Sequence, residues 1–140
     1  MNHWLMKSEP STYSIDDLKK DGKTCWDGVR NYQARNFLRD RIKKGDWVLF
    51  YHSNAEPPGV AGIARVAKEG YADLTAGGKP IWFMVDIEFV EKFPHFVSLQ
   101  ELKENPVFKG MGVIQRGSRL SVQPVEKKHF ESIKAAAHAL

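Results

Sequence analysis

Cysteine is nearly absent from this sequence, and long apolar stretches are missing too. Cys25 is the single cysteine among 140 residues, so a disulfide bond within the chain is excluded. No window approaches the roughly 18 apolar residues of a membrane-spanning helix, and the first residues lack a basic segment followed by an apolar run. We therefore expect a soluble, cytoplasmic protein with no membrane partner.

Linkers and internal repeats are also missing. No tract of Gly, Ser or Pro is long enough to join two domains. A length of 140 residues is typical of one domain, and 42% apolar residues suffice for a buried core. The sequence therefore predicts a single domain over residues 1–140.

The common catalytic and metal-binding motifs are absent. Positions 77–80 lack the glycine spacing and the Ser or Thr of a phosphate-binding loop, and indicate a turn. No G-x-S-x-G elbow occurs. The five histidines are scattered, without Cys or carboxylates at metal-ligand spacing. We expect no metal, no cofactor and no enzymatic activity.

Positive charge and aromatic residues, by contrast, are in good supply. Lys and Arg number 21 against 17 Asp and Glu, which gives a net charge of +4. The sequence also has four Trp and eight Phe, enough to pack a core and to leave rings for a ligand. This balance favours an anionic partner such as nucleic acid.

Helices are predicted from caps and from helical periodicity. Ser14 and Ser98 each begin a capping box, and Asn31 is a good N-cap for a helix over residues 32–42. Apolar residues at positions 130, 133, 137 and 140 predict a closing amphipathic helix.

Strands are predicted from short apolar or alternating runs at 3–7, 24–26, 47–51, 60–69, 81–90 and 119–123. The stretch 60–69 is rich in Gly and Ala, so we expect a tight bend or a close approach to another backbone. Its expected antiparallel neighbour is 81–90. Five or six strands among short helices predict an α+β fold with a small curled sheet or open barrel.

Two of four polar stretches suit recognition of a base. Lys7, Ser8 and Glu9 bring a cation, a hydroxyl and a carboxylate to a strand end, where they can contact a base edge. A solvated strand end is the alternative. Trp26 precedes Gly28, which lets a ligand approach the backbone closely. The alternative is that Trp26 belongs to the core.

The other stretches suit a pocket rim and phosphate contacts. Arg30 stands at a helix start, where free N–H groups favour anions. Tyr51, His52 and Ser53 end an apolar strand, as in many pockets and in many ordinary turns. The segment 116–124 joins two Arg and two Ser to a strand, which suits phosphates or an ordinary basic surface.

Together these stretches resemble the EVE family, which is related to YTH and other PUA-like domains. The segments that carry the resemblance are MKSEP, CWDGVRNYQARNF, FYHS, WFMVDIEFVEKF and RGSRLSVQPV, in this order. They span nearly the whole chain. The resemblance implies a PUA-like α+β fold, with a curled mixed or antiparallel β-sheet or pseudo-barrel of five to six strands flanked by short helices.

The resemblance also implies a reader that holds a nucleic-acid base in an aromatic-lined pocket. The base is expected to be modified, of 5-methylcytosine type, in DNA or RNA, with an effector protein as a further partner. A DNA ligand would place the protein at the nucleoid. The expected base-binding residues are Lys7, Ser8, Glu9, Trp26, Gly28, Val29, Arg30, Asn31, Tyr51, His52, Ser53, Arg119 and Ser121. The expected phosphate contacts are Arg35, Arg39 and Arg116.

Three other functions are compatible with the sequence. An amidohydrolase acting on acylated pyrimidine nucleosides, similar to ASCH proteins, would use Lys7 and Glu9 as an acid–base pair. A nucleophilic enzyme would pair Cys25 with His52, although no third orienting group is evident. A protein-interaction module is the third alternative.

Overall fold

The computed structural model describes residues 1–73, 82–115 and 120–139. The strands are β1 (His3–Ser8), β2 (Lys23–Trp26), β3 (Trp47–His52), β4 (Gly59–Ala72), β5 (Phe83–Ser98) and β6 (Val122–Val125). The helices are α1 (Ile15–Asp21), α2 (Tyr32–Asn36), α3 (Leu99–Glu104) and α4 (Lys127–His138), with a π-helical turn at Phe37–Arg41 and 3₁₀ turns at Pro106–Phe108 and Gly112–Ile114. The predicted turn at 77–80, together with Ile81, Arg116, Arg119 and Leu140, lies outside the described residues.

The six strands form one mixed sheet in the order β2-β5-β4-β3-β1-β6. The β1–β3 pair is parallel, with Lys7 opposite Tyr51 and Ser8 opposite His52, and the other pairs are antiparallel. The sheet does not close, because β2 and β6 are its two edges. The predicted α+β class and the predicted pairing of β4 with β5 are confirmed.

Strand β5 is longer than the sequence pattern predicts. Its pairing with β4 shifts register at several bulges, the first between Val60 and Gly62, so the two-residue alternation is interrupted while the strand continues. A Cβ at Gly59 or Gly62 would collide with the backbone of β5, with the carbonyl oxygens of Val97 and Glu91 respectively. The predicted close approach of backbones in the Gly- and Ala-rich strand is confirmed.

The predicted helix starts are confirmed. Ser14 and Ser98 form complete capping boxes, and the Asn31 side chain accepts a hydrogen bond from the Ala34 amide. The prediction of one α-helix over 32–42 is wrong in its second half, where the chain widens into the π-helical turn. In the part of the chain that the structure describes, no helix is long and apolar enough to cross a membrane.

The sheet separates two apolar cores, and this separation positions the candidate site. Trp4 and Met6 belong to one core, whereas Leu5, between them in β1, belongs to the other. The same alternation continues at the polar end of β1. Lys7 follows the direction of Leu5, and Ser8 follows that of Met6.

Candidate functional site

A cleft of about 510 Å³ opens between the ends of β1 and β2 and the loop that leads into α2. We call it the first cleft. Its described lining residues are Lys7, Ser8, Thr12, Tyr13, Thr24, Cys25, Trp26, Asp27, Gly28, Val29, Arg30 and Ser121. The cleft thus brings together seven of the predicted base-binding residues. Its volume is in the range of small-molecule sites.

Trp26 belongs both to the core and to the wall of the first cleft. Its residue surface is only 9% exposed, and its ring packs edge-on against Phe50 with the centroids 5.6 Å apart. Trp26 is therefore a core residue that also lines the cleft. A limited part of the indole ring is available to a ligand, and the rest holds β2 against the sheet.

The loop after β2 is anchored by a buried carboxylate. Asp73, whose side chain is fully buried, accepts hydrogen bonds from the Gly28 amide at 2.9 Å and from Arg30 Nη1 at 3.0 Å. Gly28 has φ of 75°, a conformation that favours glycine. The conformation of the loop, and not only close ligand approach, therefore explains this glycine.

Tyr13 is a wall residue that the sequence patterns did not single out. Its hydroxyl donates to Asp21 Oδ2 at 2.8 Å, and its carbonyl accepts from the Ser8 hydroxyl at 2.6 Å. Burial, with the Asp21 hydrogen bond, raises the pKa of Tyr13 to about 12. Tyr13 is therefore a neutral aromatic wall at physiological pH.

Beside the first cleft, two arginine side chains flank a stacked pair of aromatic rings, and we call this row the aromatic–arginine ladder. The Arg30 guanidinium lies 5.6 Å from the Trp82 ring centroid, and the Trp82 and Tyr32 rings stack at 5.0 Å. Arg35 lies 5.2 Å from the Tyr32 centroid. Tyr32 is 61% exposed, so its ring is accessible from solvent.

A second cleft, of about 630 Å³, opens on the other face of the β1–β3 pair. Its described lining residues are Lys7, Tyr51, Ser53, Asn54, Pro58, Leu99, Lys103, Val113, Ile114 and Gln115. Two more predicted residues, Tyr51 and Ser53, are therefore found here and not in the first cleft. Lys7 is the described residue that both clefts share.

Three predicted residues have structural contacts and line neither cleft. His52 Nε2 accepts a hydrogen bond from the Ile15 amide at 3.1 Å, and burial lowers the pKa of His52. The Asn31 side chain caps α2. Glu9 is exposed, and its Oε1 is 3.4 Å from Asn54 Nδ2.

The arginines predicted to contact phosphates differ in their surroundings. Arg39 forms two hydrogen bonds with Asp40, at 2.9 and 2.7 Å, so its charge is partly compensated. Arg35 belongs to the ladder. Arg116 and Arg119 lie outside the described residues. The Ser121 carbonyl accepts from the Lys7 amide at 2.8 Å, which fixes β1 to the segment before β6.

The pairs required by the two enzymatic alternatives are not seen in the described ranges. Lys7 and Glu9 form no ion pair there. Burial raises the pKa of Cys25, which disfavours the thiolate, and the His52 Nε2 lone pair is engaged by Ile15. Among residues 1–73, 82–115 and 120–139, no group of three or more potential metal ligands occurs.

Comparisons with known proteins agree with the resemblance. The family model described as EVE domain matches residues 2–136. Thymocyte nuclear protein 1 of Homo sapiens is 42% identical over 163 residues, covering 94% of this chain and 72% of that protein.

Solved structures agree as well. The human THYN1 protein in complex with 5-methylcytosine containing DNA superposes with a TM-score of 0.91 at 39% identity, covering 100% of this chain and 99% of that one. A Pseudomonas syringae protein gives a TM-score of 0.91 at 43% identity, with 96% and 99% coverage. A YTH domain from Zygosaccharomyces rouxii gives 0.60 at 14% identity, covering 99% of this chain and 88% of that one, and shares the fold alone. This chain belongs to the EVE domain family.

Proposed function

We propose that this chain is a non-catalytic reader of modified nucleobases, which binds nucleic acid and takes one base of 5-methylcytosine type into the first cleft. The observation that carries the proposal is the similarity, over the whole of this chain, to the solved chain of the human THYN1 protein, which is in complex with 5-methylcytosine containing DNA. The cleft beside Trp26 supports it, because its volume of about 510 Å³ accommodates a nucleoside.

The lining of the first cleft supplies suitable chemistry for a pyrimidine. Tyr13 and the accessible part of Trp26 provide apolar surface, and the hydroxyls of Ser8 and Thr24 add polar contacts. Asp27 is exposed in the same wall, and a carboxylate is a suitable acceptor for the exocyclic amine of cytosine. We therefore assign Asp27 to the contact that selects cytosine-type bases.

The aromatic–arginine ladder supports the binding of the nucleotides beside the extruded base. Extruding a base from a duplex costs a few kcal/mol, so compensating contacts are needed outside the cleft. An exposed aromatic ring such as Tyr32 returns roughly 1–3 kcal/mol by stacking on a base. Arg35, which lies against the Tyr32 ring, places positive charge near the phosphates, whereas the charge of Arg30 is partly compensated by Asp73.

Backbone amide NMR with a short single-stranded oligonucleotide that carries one 5-methylcytosine tests this assignment. Shift changes are expected to concentrate at residues 24–30 and at Tyr13, and to weaken in Asp27→Asn, which keeps the volume of the side chain. Changes that avoid these residues, or that are identical in Asp27→Asn, would contradict the placement of the base.

A further inference from the structure

The second cleft combines positive charge with hydrogen-bond donors. Lys7 and Lys103 are basic, and Tyr51, Ser53 and Gln115 carry groups that can donate. None of the described residues that line it is acidic. Glu9 stands outside the lining, near Asn54. A cleft with this composition suits an anionic ligand that accepts several hydrogen bonds.

Tyr51 points to a ligand more directly. The residue is only 3% exposed, yet its hydroxyl has no hydrogen-bond partner in the described part of the chain. Among the described residues, His129 Nε2 is the only fully enclosed polar side-chain atom without a partner, so the Tyr51 hydroxyl oxygen is not fully enclosed. The hydroxyl therefore opens on the cleft that Tyr51 lines. Buried tyrosines usually pair their hydroxyl groups, so this donor is available to a bound group.

Lys7 lines the second cleft beside Tyr51 and has no counter-ion among the described residues. Its side chain is half-buried, and its Nζ lies 5.9 Å from the Tyr51 ring centroid. No carboxylate of the described residues forms an ion pair with it. A half-buried cation normally has a partner, because desolvation of the charge is otherwise uncompensated. Burial accordingly lowers the pKa of Lys7.

We propose that the second cleft binds a phosphate group, through the ammonium groups of Lys7 and Lys103 and the hydroxyl of Tyr51. The shared chemistry is a phosphate monoester or diester. One source is a phosphodiester of the strand whose base occupies the first cleft, and the other is a free nucleotide or inorganic phosphate.

The position of the second cleft favours the bound strand as the source. The two clefts are separated by the paired ends of β1 and β3, where the Ser53 amide donates to the Ser8 carbonyl at 2.9 Å. Lys7 lines both clefts. A strand that places a base in the first cleft therefore meets the lining of the second cleft at Lys7. Only this choice of source rests on the proposed function.

Titration with inorganic phosphate tests the site without any base. We expect saturable amide shift changes at Ser53, Asn54 and Gln115 that equal concentrations of chloride do not produce. Tyr51→Phe removes one hydroxyl and Lys103→Gln removes one charge, and each is expected to weaken binding about tenfold. Lys134→Gln on α4, which lines neither cleft, is the matched charge control. Phosphate binding that is absent, or unchanged in both cleft variants, overturns the proposal.

Oligonucleotides with one neutral methylphosphonate linkage distinguish the two sources. If the strand supplies the phosphate, replacing one linkage next to the modified base weakens binding to the natural protein, and the loss disappears in Lys103→Gln. If inorganic phosphate binds but every methylphosphonate is tolerated, the ligand is a free phosphate compound. Because the phosphate titration contains no base, its failure is distinct from failure of the reader function.

Discussion

The carboxylate of Asp73 and the guanidinium of Arg30, a lining residue of the first cleft, lie 3.0 Å apart, although 43 positions separate them in the sequence. The Asp73 side chain is fully buried, whereas the Arg30 side chain is 39% exposed. The same carboxylate oxygen accepts from the Gly28 amide. One buried charge therefore sets the conformation of the loop that forms the cleft wall.

Asp73→Ala is expected to destabilise the fold and to disorder the loop at 28–30. The substitution leaves the Gly28 amide and Arg30 without this acceptor, which costs roughly 1–3 kcal/mol of unfolding free energy. Urea denaturation measures the loss. Asp27→Ala, an exposed change in the same wall, serves as the control and is expected to stay within about 0.5 kcal/mol. Equal stabilities for the two variants would contradict the anchoring role.

Trp26 is expected to serve stability and recognition at once. Trp26→Ala removes a buried ring and should lower the unfolding free energy by about 3–5 kcal/mol. Binding data on that variant are therefore ambiguous. Trp26→Phe retains an aromatic ring against Phe50 and is the informative change. We expect it to remain folded by circular dichroism and to bind modified oligonucleotides more weakly; undiminished binding would remove Trp26 from the recognition surface.

Lys7 is expected to favour binding at the expense of stability. Because burial lowers its pKa below the ordinary 10.5, the charged form is destabilised in the folded state at neutral pH. Lys7→Met should therefore raise the melting temperature at pH 7. The gain should shrink as the pH rises through the lowered pKa towards 10.5, because the natural side chain then loses its proton.

The same variant should weaken binding to nucleic acid. If Lys7 contacts one phosphate, Lys7→Met lowers the slope of log K against log salt by roughly one. Titrations at several salt concentrations measure this slope. A variant that melts lower than the natural protein, or that keeps the full salt dependence, would contradict the account of Lys7.

His52 is expected to make stability depend on pH in the acid range. Its pKa is lowered by burial from 6.5, so below that pH the unfolded chain takes up a proton that the folded chain resists. Unfolding free energy should therefore fall as the pH drops from 6.5 through the lowered pKa. His52→Gln, which can still accept from the Ile15 amide, should show a smaller fall between pH 7 and 5, and an unchanged slope would contradict this assignment. Part of the slope will remain, because burial also lowers the pKa of His3.

The sequence predicts features that depend on neighbouring residues. The caps at Ser14, Asn31 and Ser98 require partners within three positions, so their signals are local, and all three form. The strand candidates also correspond to strands of the sheet, with shifted ends. The largest difference between the predicted and observed strands is the length of β5, where bulges break the alternation on which the prediction depends.

The sequence does not predict which residues are brought together across the fold. Asp73 follows β4 and Trp82 precedes β5; both join the site through contacts with the loop after β2, and no local pattern marks them. The sequence does indicate why Tyr51 and Ser53 line the second cleft while His52 does not. Because successive strand residues point to opposite faces, the alternation itself separates His52 from the other two, and this signal was present in the sequence.

The preference of the first cleft for a modified base is measured by the ratio of two dissociation constants. Matched single- and double-stranded oligonucleotides that differ only in cytosine or 5-methylcytosine at one position are titrated at two salt concentrations. We expect tighter binding of the 5-methylcytosine form at both salt concentrations, with the preference reduced in Trp26→Phe. Equal dissociation constants for the two bases, falling together as salt is lowered, would contradict the claim and leave a general nucleic-acid binder.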